Sequence, residues 1–369
     1  MPNTFITLQT IARRTLPRLR ENLVMPMLCA RDYNDTYSDL GDTIQIRKPV
    51  VYEAKDFTVG GTVTPQDIKE DSALVKLDKI ATVDVDLNIL EAANNWSEDK
   101  LRREFIEPAA VALAEKINKA GVEQYVNIPN ILGTAGTTPS AMSDLAAARK
   151  FLNKAKAPMG NRYAVWDVEA DAKFTEIANL FKVNEAGTTE TLREGEIGRV
   201  YGLDNFMTQA IEQHTPGATG SPAIDGAATK GATTIHIDGL TTAFTVGDTF
   251  KIASDNTVYT VNKVGTLSSG EMDVDITPAL QANAADDATI TVGAAATNNL
   301  VFHRDAIVFV TRPLPNAPGN DTSYVTSDGE FSLRIVLGYD MAHKKTSLSM
   351  DVLYNYAVVY PEIAARYLG

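Results

Sequence analysis

The chemically capable side chains of this sequence are few and widely separated. Four histidines (His214, His236, His303 and His343) fall in different predicted elements, and Cys29 is the only cysteine. A zinc site of Cys and His ligands therefore cannot form by local spacing, and no intrachain disulfide is possible. The sequence contains no G-x-x-x-x-G-K-[ST] phosphate-binding motif, no H-E-x-x-H motif and no C-x-x-C pair.

Three short stretches have the spacing of catalytic or metal-binding groups. His236 and Asp238 would point to one side of a strand, as a catalytic pair does, but no serine partner accompanies them. Asp273-x-Asp275 and Asp286-Asp287 offer oxygen ligands for a divalent cation but lack the length and glycine placement of an EF-hand loop. We favour a solvated strand face and plain surface acidity for these groups.

The glycine-rich stretch "EGEIGRVYG", Glu194–Gly202, neither follows a clear strand nor opens a helix, as a phosphate-binding loop would. We interpret it as a bent β-connection. The sequence thus predicts no catalytic, metal-binding or cofactor-binding residue, no cofactor and no enzyme activity.

The charge is unevenly distributed along the chain of 369 residues, which has a formal net charge of −13. The first twenty residues contain four arginines and no acidic residue, whereas residues 216–295 contain three lysines, no arginine and nine acidic residues. The overall acidity argues against a general nucleic-acid-binding protein. The asymmetry predicts a molecule with two distinct faces. No signal peptide and no membrane-spanning run is visible, so we expect no membrane partner.

The N-terminal part of the chain is rich in extended or surface-demanding elements. Apolar residues from Phe5 to Met27 recur at steps of three and four, which predicts two short helices, the second capped by Thr15 with Pro17 in its first turn. The alternating runs "IQIRKPVVYEA" and "SALVKLDKIATVDVDL" predict two strands of an extended hairpin whose tip, residues 56–72, is polar.

Helical and mixed segments follow the hairpin. Residues 96–126 predict a helix of roughly 25 residues that Ser97 caps and Pro108 kinks. "SAMSDLAAARKFLNKAK", "RYAVWDVE" and "EADAKFTEIANLF" predict helix, strand and helix, and residues 306–310 predict a buried strand. The last forty residues predict two β-runs and a short C-terminal tail.

The acidic stretch 216–295 has a different pattern. Five short β-runs, "TTIHIDGL", "DTFKIA", "VYTVNKV", "MDVDITPAL" and "ATITV", are separated by turns of Gly, Asp, Asn and Ser. This pattern predicts a small β-barrel or sandwich inserted into the α/β unit. Because the arm, hairpin, long helix and tail would be poorly buried in a monomer, we expect a building block that neighbouring subunits stabilise.

The order of these parts, with several motifs, resembles the major capsid proteins of tailed bacteriophages, which have the HK97-like fold. The resemblance is strongest to the podophage coat-protein family whose axial domain contains an inserted β-barrel. The stretches on which it rests are "IARRTLPRLRENLVMPMLCARDYNDTYSDLGDTIQIRKP", "EGEIGRVYGLDNFMTQ", "FHRDAIVFVTRPL" and "LRIVLGYDMAHKKTSLSMDVLYNYAVV".

The resemblance implies an α+β chain with the HK97-like fold and a small all-β inserted domain. The implied parts are the N-terminal arm (1–43), the hairpin or E-loop (44–90), the peripheral domain with its spine helix (91–130 and 313–369), the axial domain (131–215 and 296–312) and the inserted β-domain (216–295).

The implied function is self-assembly of hexamers and pentamers into the icosahedral shell that encloses a phage double-stranded DNA genome, in a virion assembled in the host cytoplasm. A scaffolding protein, a portal and the packaged DNA are the implied partners. Arg13, Arg14, Arg18 and Arg20 are expected on the inner face, against scaffold or DNA. The E-loop residues Lys55, Asp56, Lys69, Glu70 and Asp71 are expected to contact a neighbouring subunit.

Three other functions stay open from the sequence alone. An encapsulin-type compartment shares the expected fold, whereas a tail, neck or decoration protein would form rings or tubes or add to existing shells. The third is an enzyme with a β accessory domain, which the lack of any site constellation disfavours.

Overall fold

The structure is a computed structural model that describes residues 15–17, 19, 22–32, 43–48, 72–88, 107–177, 180, 194–253, 255–316, 323–327, 331–340 and 345–369. The chain divides into two units, each assembled from separate stretches of sequence. The first unit comprises Met1–Glu21, Arg31–Leu113 and Val308–Val359, and the second comprises Asn22–Ala30, Ala114–Ile307 and Tyr360–Gly369.

The elements of the described residues are numbered along the chain. The helices are α1 (Met25–Leu28), α2 (Glu107–Val122), α3 (Met142–Lys154) and α4 (Val168–Thr175), and 3-10 turns span Glu123–Asn127, Arg304–Ala306 and Pro361–Ile363. The strands are β1 (Thr43–Arg47), β2 (Ser72–Lys76), β3 (Lys79–Asn88), β4 (Ile131–Gly133), β5 (Arg162–Trp166), β6 (Arg199–Val200), β7 (Leu203–Met207), β8 (Gln213–His214), β9 (Thr219–Ile224), β10 (Thr234–Thr242), β11 (Thr249–Ile252), β12 (Val258–Val264), β13 (Met272–Thr277), β14 (Ile290–Val292), β15 (Ala296–His303), β16 (Ile307–Arg312), β17 (Ser323–Ser327), β18 (Ser332–Asp340), β19 (Lys345–Val358) and β20 (Ala364–Leu368).

The first unit contains an antiparallel sheet built around the long strand β19. Its described strands follow the order β16-β19-β18-β17, and β3 also pairs with β19. Phe309, Phe331 and Tyr356 pack in its core, with ring centroids 4.9 Å apart for Phe309 and Tyr356 and 5.9 Å apart for Phe309 and Phe331. The two predicted C-terminal β-runs are therefore confirmed as β18 and β19.

The predicted hairpin is described at its base, where β1 pairs antiparallel with β2 from Thr43 opposite Lys76 to Arg47 opposite Ser72. The second predicted strand, however, is not one strand. The run breaks at Leu77, which is fully buried, and the Asn355 amide donates to the Lys76 carbonyl and to the Asp78 carboxylate. These contacts end β2, and the chain resumes as β3 in the sheet of β19.

The second unit contains a mixed sheet in which the described strands follow the order β4-β20-β15-β5-β7-β6, with β8 paired to β15. The predicted helix, strand and helix of this region are confirmed as α3, β5 and α4. Leu145 and Leu152 of α3 bury their side chains in one core with Trp166 and Phe174, whose ring centroids lie 4.9 Å apart. The local periodicity is therefore satisfied by the packing of the helices on the sheet.

The C-terminal tail differs from its prediction. Residues 313–369 were expected in one domain, but Tyr360–Gly369 belongs to the second unit. Its strand β20 lies between β15, to which it is antiparallel, and β4, to which it is parallel. All five of its residues are buried, as expected for a strand that has ladders on both sides.

The predicted arm also divides between the units. Phe5, Leu8 and Ala12 of its predicted helical stripe lie outside the described residues, whereas the last four apolar positions (Leu16, Leu19, Leu23 and Met27) are described. Thr15 is helical rather than a cap, and Pro17 is also in helical conformation. Residues 22–30, with the short helix α1, join the second unit because the buried Asn118 holds them. Its Oδ1 accepts from the amides of Val24 (3.0 Å) and Met25 (3.2 Å), and its Nδ2 donates to the Asn22 carbonyl (2.8 Å).

The predicted long helix is described as α2, and the 3-10 turn Glu123–Asn127 extends it. Pro108 lies next to Glu107, the first described residue of α2. Ser97 and the first part of the predicted helix lie outside the described residues, so the capping and the kink remain predictions.

The five predicted β-runs of residues 216–295 are confirmed as β10 to β14, and β9 is a sixth strand. The sheet order is β14-β11-β12-β13-β10-β9. The two end strands meet through a bridge between Ala223 and Thr289 and through a hydrogen bond from the Ile224 amide to the Ala288 carbonyl (3.1 Å). Of the two predicted architectures, barrel and sandwich, the described strands therefore form a closed barrel, around a core that includes Phe244, Phe250 and Tyr259.

Strands β9 and β10 are bent where glycines allow the two backbones to approach closely. The register between them shifts on either side of Leu240. Gly220 and Gly239 have φ angles of 121° and 69°, and a Cβ at Gly220 would lie 2.5 Å from the Gly239 carbonyl oxygen. The bulges supply the curvature that closing so small a sheet requires.

Candidate functional site

The nine residues predicted to make functional contacts all lie outside the described residues. They are Arg13, Arg14, Arg18 and Arg20 of the arm and Lys55, Asp56, Lys69, Glu70 and Asp71 near the hairpin tip. Their roles stay predictions, and the candidate site is built from the described base of the hairpin, the mixed sheet and the barrel.

The hairpin base has one buried face and one apolar residue on its exposed face. Ile46 and Val75 are buried. Leu74 lies on the opposite face, across from Gln45 in the ladder, and is 68% exposed. Leu74 is thus an apolar residue on the solvent side of a half-buried strand, where alternation often places a polar one. Sequence reasoning missed Leu74, although the run "SALVK" places it between the two positions that face inward.

A second set of exposed apolar side chains lies near the end strand of the mixed sheet. Tyr201, Phe206 and Met207 are all partly exposed. Tyr201 stands in the turn between β6 and β7 with a φ of 52°, and Phe206 packs edge-on against Tyr163 with ring centroids 6.0 Å apart. This turn belongs to the stretch Glu194–Gly202, which forms a bent β-connection as predicted.

The described histidines all face carboxylates. His303 lies beside Asp305, and burial lowers its pKa below the ordinary value of 6.5. His214 contacts Asp248, and His236 faces several acids at once. His343 lies outside the described residues.

Asp248 is a fully buried carboxylate at one end of the barrel. His214 Nε2 lies 2.7 Å from its Oδ1, and the amides of Thr245 and Gly217 donate to its Oδ2 at 2.9 and 3.1 Å. Burial raises the pKa of Asp248, but the hydrogen bonds from His214, Thr245 and Gly217 outweigh burial and hold the pKa below 3.8. The carboxylate therefore fastens the segment before β9 to the turn before β11.

Replacing Asp248 with Asn should lower the free energy of unfolding by about 2 kcal/mol at neutral pH, because charge-assisted hydrogen bonds are lost in a buried site. A depressed pKa stabilises the folded state above the unfolded-state pKa and loses this contribution as the pH falls through the lower folded pKa. The difference between wild type and D248N in urea denaturation should therefore shrink when the pH drops from about 7 to about 3. The matched control is Glu196→Gln at an exposed position, which should change neither the free energy of unfolding nor its dependence on pH. An equal loss of stability in both variants would contradict the role of Asp248.

His236 is the centre of a cluster on the outside of the barrel. The prediction of a solvated strand face agrees with the 39% exposure of His236. The carboxylates that face His236, however, do not include that of Asp238, the residue that the sequence placed beside it. Its Nδ1 lies 2.8 Å from Asp273 Oδ1, and its Nε2 lies 3.3 Å from Asp225 Oδ2 and 3.8 Å from Glu271 Oε2. The hydrogen bond with Asp273, and then the charges of the neighbouring carboxylates, raise the pKa of His236 above 6.5.

Three strands position this cluster. His236 lies opposite Asp273 in the ladder of β10 and β13, and its carbonyl accepts a hydrogen bond from the amide of Asp225 just after β9 (3.0 Å). Glu271 directly precedes β13, and its backbone amide and carbonyl each form a hydrogen bond with the backbone of Ser268. The sequence placed Asp238, not Asp225 or Glu271, beside His236, because the pairing of β9 with β10 is not visible in the local pattern.

Arg366 is a charged side chain in the interior of the second unit. It is fully buried in β20, its Nη2 donates to Thr260 Oγ1, and its Nε and Nη1 have no hydrogen-bond partner in the described part of the chain. Burial lowers its pKa to about 10, and the nearby Tyr125 opposes this shift only in part. Arg366 therefore links the mixed sheet to the barrel at an electrostatic cost.

Among the described helices, none combines the length and apolar content that crossing a membrane requires. The described geometry thus offers exposed apolar contacts, a closed acidic barrel and carboxylate-held histidines.

Comparisons with known proteins identify the fold. No protein-family model matches the sequence, and no curated protein matches it. A solved structure from Mycobacterium phage Che8 is similar to this chain with a TM-score of 0.56 and 14% identity, over 94% of this chain and 90% of that one. The capsid structure of Cyanophage P-SCSP1u is similar with a TM-score of 0.51 and 14% identity, over 92% of this chain and 86% of that one. The chain has the HK97-like fold of phage capsid structures, and the predicted fold is confirmed at this level.

Proposed function

We propose that this chain, which has the fold of tailed-phage capsid proteins, is a major capsid protein that assembles into the shell around a phage genome. The observation that supports the proposal is the likeness to phage structures over nine-tenths of the chain, including the capsid of Cyanophage P-SCSP1u. Because the similar region covers so much of the chain, it includes residues of both units rather than of one unit alone.

The two units would fill the roles of peripheral and axial domains. The first unit, with β3, β18 and β19, corresponds in this proposal to the peripheral domain, and the mixed sheet of the second unit corresponds to the axial domain, which β20 joins. Residues 1–43 would form the arm, residues 44–90 the hairpin that reaches a neighbouring subunit, and residues 216–295 an inserted domain on the outer surface. The acidity of that last segment favours an outward position, because like charge discourages association between particles.

Self-association would use the exposed apolar side chains of both units. Leu74 lies at the hairpin base, and Tyr201, Phe206 and Met207 lie near an end of the mixed sheet. Each contact is small, but symmetry repeats it in every subunit, and many weak contacts then hold a closed shell. The role is structural, without an enzymatic step, and the protein would reside in the virion after assembly in the host cytoplasm with a scaffolding protein and a portal.

The function is tested by expressing the full chain and sedimenting it through a density gradient, alone and with candidate scaffolding proteins from the same genome. Large closed particles are expected. Open rings or tubes would instead support a tail or neck component, and a particle that encloses one enzyme species rather than DNA in infected cells would support a compartment shell.

The arm should act electrostatically. Replacing Arg13, Arg14, Arg18 and Arg20 with Ala should lower the yield of closed particles and remove most of the salt sensitivity of assembly, because arginine contacts to carboxylate or phosphate weaken as salt rises. The measurement is particle yield by sedimentation between about 50 and about 200 mM salt.

The matched control removes four exposed positive charges elsewhere. It replaces Lys116, Lys150, Lys154 and Lys230 with Ala. Equal losses in both variants would show that net charge alone governs assembly and would contradict a specific role for the arm.

A further inference from the structure

We propose that Asp225, His236 and Glu271 on the outer wall of the barrel bind one divalent transition-metal cation of the zinc class, with Asp273 orienting the histidine. The ligand atoms of the first three residues all lie within 4.8 Å of one another. Neither the capsid function nor the fold requires this site, so the inference stands independently of the proposed function.

The two nitrogens of His236 have different surroundings. Nδ1 lies at full hydrogen-bond length, 2.8 Å, from Asp273 Oδ1, whereas Nε2 faces two carboxylates that are 3.3 and 3.8 Å away. A hydrogen bond from Nδ1–H to a carboxylate fixes the tautomer whose Nε2 lone pair points outward, and this is the usual second-shell arrangement of a metal-bound histidine.

The spacing on the Nε2 side suits an ion. Charge-assisted N–H···O bonds are about 2.7–2.9 Å long, so neither carboxylate is at the length of a strong direct bond to Nε2. Ligand atoms at about 2.1 Å from a tetrahedral zinc are about 3.4 Å from each other. The observed separations of 3.3 and 3.8 Å from Nε2 are close to this value, and the three ligand atoms all lie within 4.8 Å of one another, so side-chain rotations can bring them around the cation. Water would take the fourth position.

The backbone holds the ligands in place. His236 and Asp225 are joined by a backbone hydrogen bond of 3.0 Å, His236 and Asp273 lie opposite each other in the ladder, and Glu271 stands in the turn that begins β13. Of the three ligands, only His236 lies within a strand, but Asp225 directly follows β9 and Glu271 directly precedes β13, so the ladders restrict all three backbone positions. Asp238 and Asp275 add two further negative charges on the same strands, and Lys263, which pairs with Asp275 across the ladder, is the lysine nearest in register. A dication relieves this repulsion.

Isothermal titration calorimetry of the metal-free full chain with zinc chloride tests the proposal. One equivalent of zinc should bind per chain at neutral pH and raise the melting temperature. His236→Gln, Asp225→Asn and Glu271→Gln should each weaken binding at least about tenfold, and Asp273→Asn should weaken it by about tenfold through loss of orientation. Cobalt substituted for zinc should show the visible absorption of a tetrahedral site in wild type and lose it in the variants of the three ligands.

Asp238→Asn is the matched control, because it removes one negative charge from the same strand without removing a ligand. It should leave zinc affinity nearly unchanged. Absence of zinc binding by the folded wild type, or an equal loss of affinity in Asp238→Asn and Asp225→Asn, would overturn the proposal in favour of diffuse attraction by an acidic surface. Circular dichroism of each variant verifies folding, and the exposure of His236 makes its replacement compatible with the fold.

Discussion

Replacing Leu74 with Asp should give a folded, soluble subunit that forms no closed shells. Leu74 is 68% exposed on the outer side of the hairpin base, so its loss removes no core contact. If a neighbouring subunit covers it, burial of this side chain contributes about 1.5–3 kcal/mol per copy. An aspartate there would instead have to be desolvated, and the penalty would recur in every subunit of the shell.

The measurement is sedimentation of L74D with electron microscopy of the heavy fractions, and circular dichroism for folding. The control is Thr266→Asp, which introduces the same charge in an exposed barrel turn, where no subunit contact is proposed. Shells of normal yield from L74D would contradict the hairpin interpretation.

A deletion of residues 56–72 extends the test to the tip, and it should likewise give soluble subunits without stable shells.

Replacing Arg366 with Met should stabilise the second unit. The pKa of Arg366 is lowered from 12.5 to about 10 by burial, and this shift corresponds to about 3 kcal/mol of unfavourable charge burial in the folded state. Methionine fills a similar volume without a charge, and the hydrogen bond to Thr260 that is lost is worth about 1 kcal/mol. We therefore expect the free energy of unfolding to rise by about 2 kcal/mol, as when buried ion pairs are replaced by apolar groups.

Arg162 provides the matched control for this prediction. It is also buried, but its three nitrogens donate to the Pro158 carbonyl, Asn153 Oδ1 and the Ala157 carbonyl at 2.6–2.7 Å. Arg162→Met leaves these buried acceptors without a donor and should destabilise the unit by about 3 kcal/mol. Urea denaturation followed by tryptophan fluorescence, to which Trp96 and the buried Trp166 both contribute, measures both variants. A loss of stability in R366M as large as that in R162M would show that Arg366 has a partner that the described contacts do not include.

Elements whose stability depends on local pattern could be predicted from the sequence. Helix α3 and strand β5 follow from the periodicity of their apolar residues, and strands β10 to β14 follow from alternation between turn residues. Each such element needs only a generic apolar surface to pack against, so its partner need not be known.

Elements whose stability depends on a distant partner could not be predicted. The five-residue strand β20 exists because β15 and β4 provide ladders on both sides, and helix α1 is held by Asn118, more than ninety positions away. The cluster around His236 needs the registers of three strands at once, and a slip of one residue would turn its side chains to the other face. The arm and hairpin contacts predicted from the resemblance require the neighbouring subunits and remain predictions.

Electron cryo-microscopy of the particles that the full chain forms with its scaffold is the sharpest test of the proposed capsid function. An icosahedral shell of pentamers and hexamers is expected, with the arginine-rich arm on the inner surface, the hairpin across a neighbouring subunit and the barrel outside. Helical tubes, isolated rings, or a shell with the arm outside and the barrel inside would contradict it.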